Sequence, residues 1–379
     1  MHRCDRLAGA PRDPYAVVRG VAFTAIDAAA AVPACEEAIN AHPDALRFAF
    51  QLARALQAAE RYEEAAQWYT AAADGGYPVA MNNLGTLYRF GRGVPQSDQD
   101  AFYWYSRAAH AKNPHGMANL GSLYRRGNGV PQDHAQAVRW YRQAADMGEP
   151  FAMRMLGQHY AYGLGVDTDA REAARWYRQA ALAGDVAAMS DLAWFYSDGI
   201  GLPEDEGEAA HWYKTAGDLG SASAKRKLAW MILNGRGVPQ DDEKAARLYL
   251  EAANAASPGA MAALAALYTE GRGVEKDPVA AAHWYRRSAE AGFGDGMAEF
   301  ALLLDKGQGV EADPAAAADW AFQALRAGSY IAQARLQSGA GSEAFKDTLL
   351  KRLQAEGVVG DDVGDLATAI DLIVQRQQR

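Results

Sequence analysis

Leu120-Gly121-Ser122-Leu123-Tyr124-Arg125-Arg126-Gly127-Asn128-Gly129-Val130 is followed by Asp133, by the aromatic pair Trp140-Tyr141 and by Gly148. The pattern recurs along the chain. Gly-x-Gly turns ending in Val or Leu begin at Gly91, Gly127, Gly163, Gly199, Gly235, Gly271 and Gly307, every interval being 36 residues. The aromatic pair keeps that register at Trp68-Tyr69, Trp104-Tyr105, Trp140-Tyr141, Trp176-Tyr177, Trp212-Tyr213 and Trp284-Tyr285. Leu248-Tyr249 and Trp320-Ala321 fill the same slots with one member changed. A fixed stride of this length marks a stack of supersecondary units, each unable to bury its apolar face alone.

Each unit reads as two amphipathic helices. Between Pro78 and Phe90, the residues Ala80, Met81, Leu84, Leu87 and Tyr88 recur at helical spacing and make one face. Gly91 is placed to end that helix in a left-handed conformation, Gly93 completes the turn, and Val94 folds back on the hairpin. The second helix has its own start signal: Ser97, Asp133, Asp169, Asp205, Asp241, Asp277 and Asp313 share one slot and can cap free N–H groups. Pro278 and Pro314 suit the first helical position, and Glu172 and Glu208 suit capping boxes. Ala101, Ala137, Ala173, Ala209, Ala245, Ala281 and Ala317 mark a point of closest approach between helices. Gly76, Gly148, Gly184, Gly220, Gly292 and Gly328 end the second helices; Lys112 and Ala256 break that rule, with Pro114 and Pro258 as alternative stops.

These residues resemble the Sel-one-like repeat, a relative of the tetratricopeptide repeat, from about residue 77 to 330. The resemblance implies an all-α fold, a right-handed α-α superhelix of helical hairpins. It also implies a scaffold, adaptor or regulator, often bacterial and often in the envelope. The expected organisation is an N-terminal cap (1–44), a tetratricopeptide-like hairpin (45–76), seven tandem repeats (77–330) and C-terminal capping helices (331–379). The hairpin lacks the Gly-x-Gly-Val turn. Further helices are expected at Pro33 to Ala41, Phe345 to Glu356 and Leu366 to Gln377, the second with Leu349, Leu350 and Leu353 inward. Phe345, Leu349, Leu353 and Gly357 faintly resemble the start of a small peptidoglycan-binding module, but its Asp-Gly-x-x-Gly centre is missing. A plain capping pair is the expectation.

At 379 residues the chain outgrows a single compact core, which stacked repeats avoid. A net charge of −9 without a basic stripe speaks against nucleic acid as a partner. No apolar run is long enough for a membrane span. The amino terminus carries no apolar h-region, so the chain reads as cytoplasmic as written, or periplasmic if an export signal is missing from this start. Cys4 and Cys35 are the two cysteines: either unrelated thiols or a disulfide clipping the cap in an oxidising compartment. The eight histidines form neither His-x-x-x-His nor His-Glu-x-x-His, and no phosphate loop or nucleophile elbow occurs. No metal, cofactor or catalytic residue is expected, and about 40 residues at each end are too few for a usual catalytic core.

Surface candidates are the first-helix positions that vary between repeats: Asn82, Asn83, Thr86, Arg89 and Phe90, then Ala118, Asn119, Ser122, Arg125 and Arg126. Arg154, Gln158 and Tyr162 follow, then Asp191, Trp194 and Asp198, then Arg226, Lys227 and Trp230. Asn83 and Asn119 share a slot from which an amide could bond an extended peptide, or could pair with the neighbouring helix. Arg89, Arg125, Arg126 and Arg154 could make one end of the groove positive and favour a carboxylate-bearing partner, or be ordinary solvated charges. Trp194 and Trp230, 36 residues apart, read as a partner hot spot or as extra packing between repeats. The expected function is a non-enzymatic scaffold presenting a concave groove to a protein or peptide. The alternatives are an envelope-associated, cell-wall-binding factor or an accessory subunit of an enzyme.

Overall fold

The computed structural model describes residues 2–11, 13 and 20–377. Among them every regular element is helical and no strand occurs, so the chain is the all-α solenoid its spacing called for. Two compact units divide it, residues 1–188 with 200–202 and residues 189–199 with 203–379. In the first, α1 (Arg3–Ala8) and α2 (Ala28–Ala41) precede the hairpins α3 (Leu46–Ala58) and α4 (Tyr62–Asp74), and α5 (Pro78–Phe90) and α6 (Asp98–His110). The hairpins α7 (Pro114–Arg126) and α8 (His134–Asp146), and α9 (Pro150–Tyr162) and α10 (Ala170–Leu182), complete it. The boundary falls within α11 (Val186–Ser197). The second unit continues with α12 (Glu206–Asp218), α13 (Ala222–Asn234), α14 (Asp242–Asn254), α15 (Pro258–Glu270) and α16 (Pro278–Glu290). It ends with α17 (Gly294–Lys306), α18 (Pro314–Arg326), α19 (Tyr330–Gln337), α20 (Glu343–Ala355) and α21 (Leu366–Gln377).

All seven residues of the cap slot, from Ser97 to Asp313, accept a backbone N–H of the first helical turn. The expected capping boxes are replaced by other bonds. Glu172 turns its carboxylate to Arg175 Nε and Trp176 Nε1, each at 2.9 Å, because a guanidinium three residues on is a stronger partner than a neutral N–H. Glu208 contributes its own N–H to Asp205 at 2.9 Å. The helix expected at Pro33 begins earlier, at Ala28, where Asp27 accepts from Ala30 N–H at 3.2 Å and a run of alanines favours helix ahead of the proline.

The two glycines of each turn do different work. Gly127 is a left-handed C-cap (φ 73°). Gly129 (φ +67°) lies against the preceding repeat, where an added Cβ would sit 2.2 Å from the carbonyl oxygen of Asp98, the first residue of α6. Gly273 meets Asp242 of α14 the same way, at 2.1 Å. The second glycine is thus an inter-repeat contact as well as a turn residue. Lys112 and Ala256 correct another expectation: both adopt the left-handed conformation themselves (φ 59°), and Pro114 and Pro258 open the next helices rather than stopping the previous ones.

The alanine slot is wholly buried from Ala101 to Ala317, and Tyr69, Tyr105 and Tyr141 are fully enclosed. Burying each ring removes roughly 150–250 Å² from water, about 4–6 kcal/mol before conformational entropy is subtracted. In the first unit two buried clusters run from Cys4 to Ala108 and from Ala101 to Trp176; in the second, one runs from Ala229 to Ile373. Phe345, Leu349 and Leu353 of α20 close that last core, while Leu350 is only partly buried, because the inward stripe takes every fourth residue. At the other end the Cys4 and Cys35 sulfurs are bonded, both residues fully buried, with their Cα atoms 4.7 Å apart. Asp5, also fully buried, accepts from Arg47 Nε at 3.3 Å and Gln51 Nε2 at 3.2 Å.

Candidate functional site

The first helices of the first unit share a face with a hollow of about 760 Å³, walled by Phe50, Arg54, Gln57, Pro78, Asn83 and Pro114 among others. Arg54 is buried, yet its guanidinium is satisfied by Ala8 O at 2.6 Å and Val21 O at 3.0 Å, so the N-terminal segment passes beside the hollow. At its rim His115 Nδ1 lies 2.9 Å from Glu149.

Asn83 lines this hollow, but not as an isolated amide. Asn119 Nδ2 donates to Asn82 Oδ1 (2.9 Å), Asn82 Nδ2 to Asn83 Oδ1 (3.3 Å), and Asn83 Nδ2 to the Tyr69 hydroxyl (3.2 Å). Tyr69 passes its own proton to Gln57 Oε1 at 2.8 Å. A hydrogen-bonded relay therefore crosses from α7 through α5 and α4 to α3. Burial pushes the Tyr69 phenol well above its usual range and keeps it a neutral donor. Asn82 is buried, which corrects its place among the surface candidates; Ala118 and Ser122 are buried too, Ser122 meeting the Tyr141 hydroxyl at 3.0 Å. The variable slot marks these positions, but the small side chains that fill it are covered by the next hairpin.

The arginines separate into two kinds. Arg154 is taken up by Asp185 at 3.1 Å and brings no uncompensated charge, contrary to its expected part in a positive cluster. That partner lies 31 residues on, in the connection that follows α10, so it belongs to the next repeat rather than to the same helix. Arg89, Arg125 and Arg126 have no carboxylate partner among the described residues. Arg89 lies beside the Tyr105 hydroxyl and Arg125 beside that of Tyr141, one repeat on. Arg89 also sits over the exposed Phe90 ring at 5.3 Å.

In the second unit Trp194 and Trp230 are 38% and 42% exposed. They flank a cleft of about 190 Å³ with Tyr213, Asp198, Lys227 and Arg236 in its walls. Trp194 Nε1 donates to Asp198 Oδ2 at 2.8 Å. Tyr213 is pushed up to about 12, first by burial and then by the carboxylates of Asp198 and Asp191.

Sequence reasoning passed over one buried group. His159 is fully enclosed, its Nδ1 2.7 Å from Leu164 O and its ring 5.6 Å from that of His134. Burial is the main cause that lowers its pKa, with His134 and Arg125 adding to it. Only its departure from the large apolar residues of its slot, Leu87, Leu123, Phe195, Met231, Leu267 and Leu303, could have drawn notice.

The repeat register is matched by a family model. Sel1 repeats are found at residues 57–77, 78–113, 114–149, 150–185, 186–221, 222–257, 258–293 and 295–329. The chain belongs to the Sel1-repeat family. Sel1-repeat proteins generally mediate protein–protein interaction, and the family is generally non-catalytic. The chain is similar to c5321, a protective antigen present in uropathogenic Escherichia coli strains displaying an SLR fold. The two are 31% identical, with a TM-score of 0.68 over 89% of this chain and 79% of that one. It is also similar to the Sel1 repeat protein from Oxalobacter formigenes, at 34% identity and a TM-score of 0.60, over 63% of this chain and 98% of that one. No curated protein matches. The short match at 57–77 covers α4 and begins at the α3–α4 connection, which lacks the Gly-x-Gly-Val turn. No helix among the described residues of this Sel1-repeat protein is long and apolar enough to cross a membrane.

Proposed function

We propose that this Sel1-repeat protein is a non-enzymatic scaffold whose first-helix face in the first unit receives an extended, carboxylate-bearing peptide of a partner protein. One observation carries the reading. Among the described residues Arg89, Arg125 and Arg126 stand without acidic partners, in a chain of net charge −9 where carboxylates outnumber cations. Guanidinium groups without a carboxylate, Arg89 and Arg125 at matching slots of successive repeats and Arg126 beside them, suit bidentate bonds to acidic side chains. The hollow beside Asn83 and Phe50 offers apolar wall for the peptide's other residues, and the amide relay keeps spare lone pairs and N–H groups for its backbone. Recognition of this kind contains a strong electrostatic part, so binding weakens as salt rises. The test is titration of a capped, fluorescent glutamate-rich peptide into the full chain and into the variant Arg89→Gln, Arg125→Gln, Arg126→Gln. The reading expects at least about a tenfold loss of affinity in the variant. Equal binding by both, or equal binding of the matched glutamine peptide, contradicts it.

A second reading, a factor of the cell envelope, is favoured by the Cys4–Cys35 bond, since disulfides persist in oxidising compartments. Thiol labelling of the protein taken directly from cells distinguishes the two: an oxidised pair supports the envelope, and two free thiols remove this support.

A further inference from the structure

Tryptophans in the recurrent slot are buried or half-buried between hairpins, whereas Trp194 and Trp230 remain exposed on first helices one repeat apart. The second of these already has a cation on it. Arg236 lies 5.3 Å from the Trp230 ring and is paired with Glu206. An indole face, a guanidinium and a carboxylate thus form a closed set. One repeat earlier the set is incomplete. Ile200 occupies the register position of Arg236, while Asp198 stands where the later repeat has the neutral Asn234. Trp194 has no cation over its ring among the described residues. Asp198 is exposed and makes no ion pair there, and its Oδ2 is oriented by Trp194 Nε1 at 2.8 Å. Among the described residues Oδ1 takes no hydrogen bond and can accept one.

We propose that the cleft between Trp194 and Trp230 binds one arginine side chain of a partner protein, its guanidinium stacked on Trp194 and bonded to Asp198. This goes beyond the acidic-peptide reading and does not depend on it, since it uses a different unit and the opposite charge. The volume of about 190 Å³ suits a single side chain rather than a length of peptide. A planar guanidinium stacks on indole and forks onto a carboxylate, which a compact ammonium does less well. Asp191 faces the same tyrosine at the floor and adds negative charge. On the opposing side Arg236 is paired with Glu206 and also feels the Asp198 carboxylate, Arg226 lies near Tyr213, and Lys227 is exposed on a flexible stem. Lys227 therefore lines the cleft without a salt-bridge partner among the described residues, and it works against a cationic guest. The two electron-rich indole faces disfavour a carboxylate guest in its place.

The experiment follows the indole N–H signals of the full-length, isotope-labelled protein by NMR while acetyl-Gly-Arg-Gly-amide is added. The matched peptides carry citrulline, lysine or glutamate in place of arginine. The expected result is movement of the Trp194 and Trp230 signals with the arginine peptide. Asp198→Asn weakens it about tenfold or more, and Lys227→Ala tightens it. Both substitutions are on exposed side chains, and circular dichroism checks that each variant is folded. Equal shifts with citrulline, unchanged binding in Asp198→Asn, preference for the glutamate peptide, or no shift at the two indoles overturns the proposal.

Discussion

Gly129 and Gly148 both have positive φ, +67° and +83°, yet they answer to different constraints. A methyl group on Gly148 meets nothing within 4 Å, so Gly148→Ala bears only backbone strain, about 1–2 kcal/mol. On Gly129 the same methyl also drives into the Asp98 carbonyl, so Gly129→Ala costs at least about 1 kcal/mol more. Urea unfolding of the two variants side by side checks the difference. The converse holds at Lys112 and Ala256, already left-handed without being glycine. Lys112→Gly and Ala256→Gly are each expected to stabilise by a few tenths to about 1 kcal/mol. His159 has a pH signature. Its pKa is lowered in the fold, so below roughly 6.5 the unfolded chain binds a proton that the folded chain does not. Its contribution is complete above that value and is lost as pH falls through the lower folded value, at no more than about 1.4 kcal/mol per pH unit. Urea midpoints at pH 7.5 and 5 should fall less for His159→Gln than for the unaltered chain; an equal fall contradicts the assignment.

The helices and their ends were legible because each rests on local chemistry. A capping aspartate, a terminal glycine and a 3.6-residue apolar stripe need no knowledge of neighbours, and α21 starts at the expected Leu366, behind Asp365, which accepts from Thr368 N–H at 2.9 Å. Asp133→Ala removes the bond to Gln136 N–H at 2.9 Å and should cost about 1 kcal/mol in thermal unfolding. Less legible were features that depend on the repeat next door. The second turn glycine looks like turn chemistry until Asp98 is seen under it, and Asn82 looks like surface until Asn119 is seen bonded to it. Arg154 lost its place in the positive cluster for the same reason, its partner Asp185 lying 31 residues on. The cap is held by a long-range link. Cys4 and Cys35 are 31 residues apart, and opening a loop of that length costs about 4 kcal/mol in chain entropy. Cys4→Ser should lower the unfolding midpoint and expose α1 to proteolysis; unchanged protection would show that Asp5 and Arg54 hold the cap without the bond.

At the scale of the molecule, the repeat separates two tasks. The alanine slot and the Trp-Tyr slot recur almost unchanged because successive hairpins meet there. The first-helix slots change from Asn83 and Asn119 to Asp191 and Lys227, and exposed rings such as Trp194 and Trp230 stand on the same helices. Stability in such a stack is a sum of repeat and interface contributions, so damage at one interface spreads to its neighbours, while a surface change stays local. The direct measurement is equilibrium urea unfolding of Ala137→Leu against Arg126→Glu. Ala137 is fully buried at the closest approach, and Arg126 is exposed without a carboxylate partner among the described residues. The account predicts a loss of about 1–3 kcal/mol for the alanine substitution and less than about 0.5 kcal/mol for the arginine. A tolerated leucine together with a destabilising glutamate would contradict it.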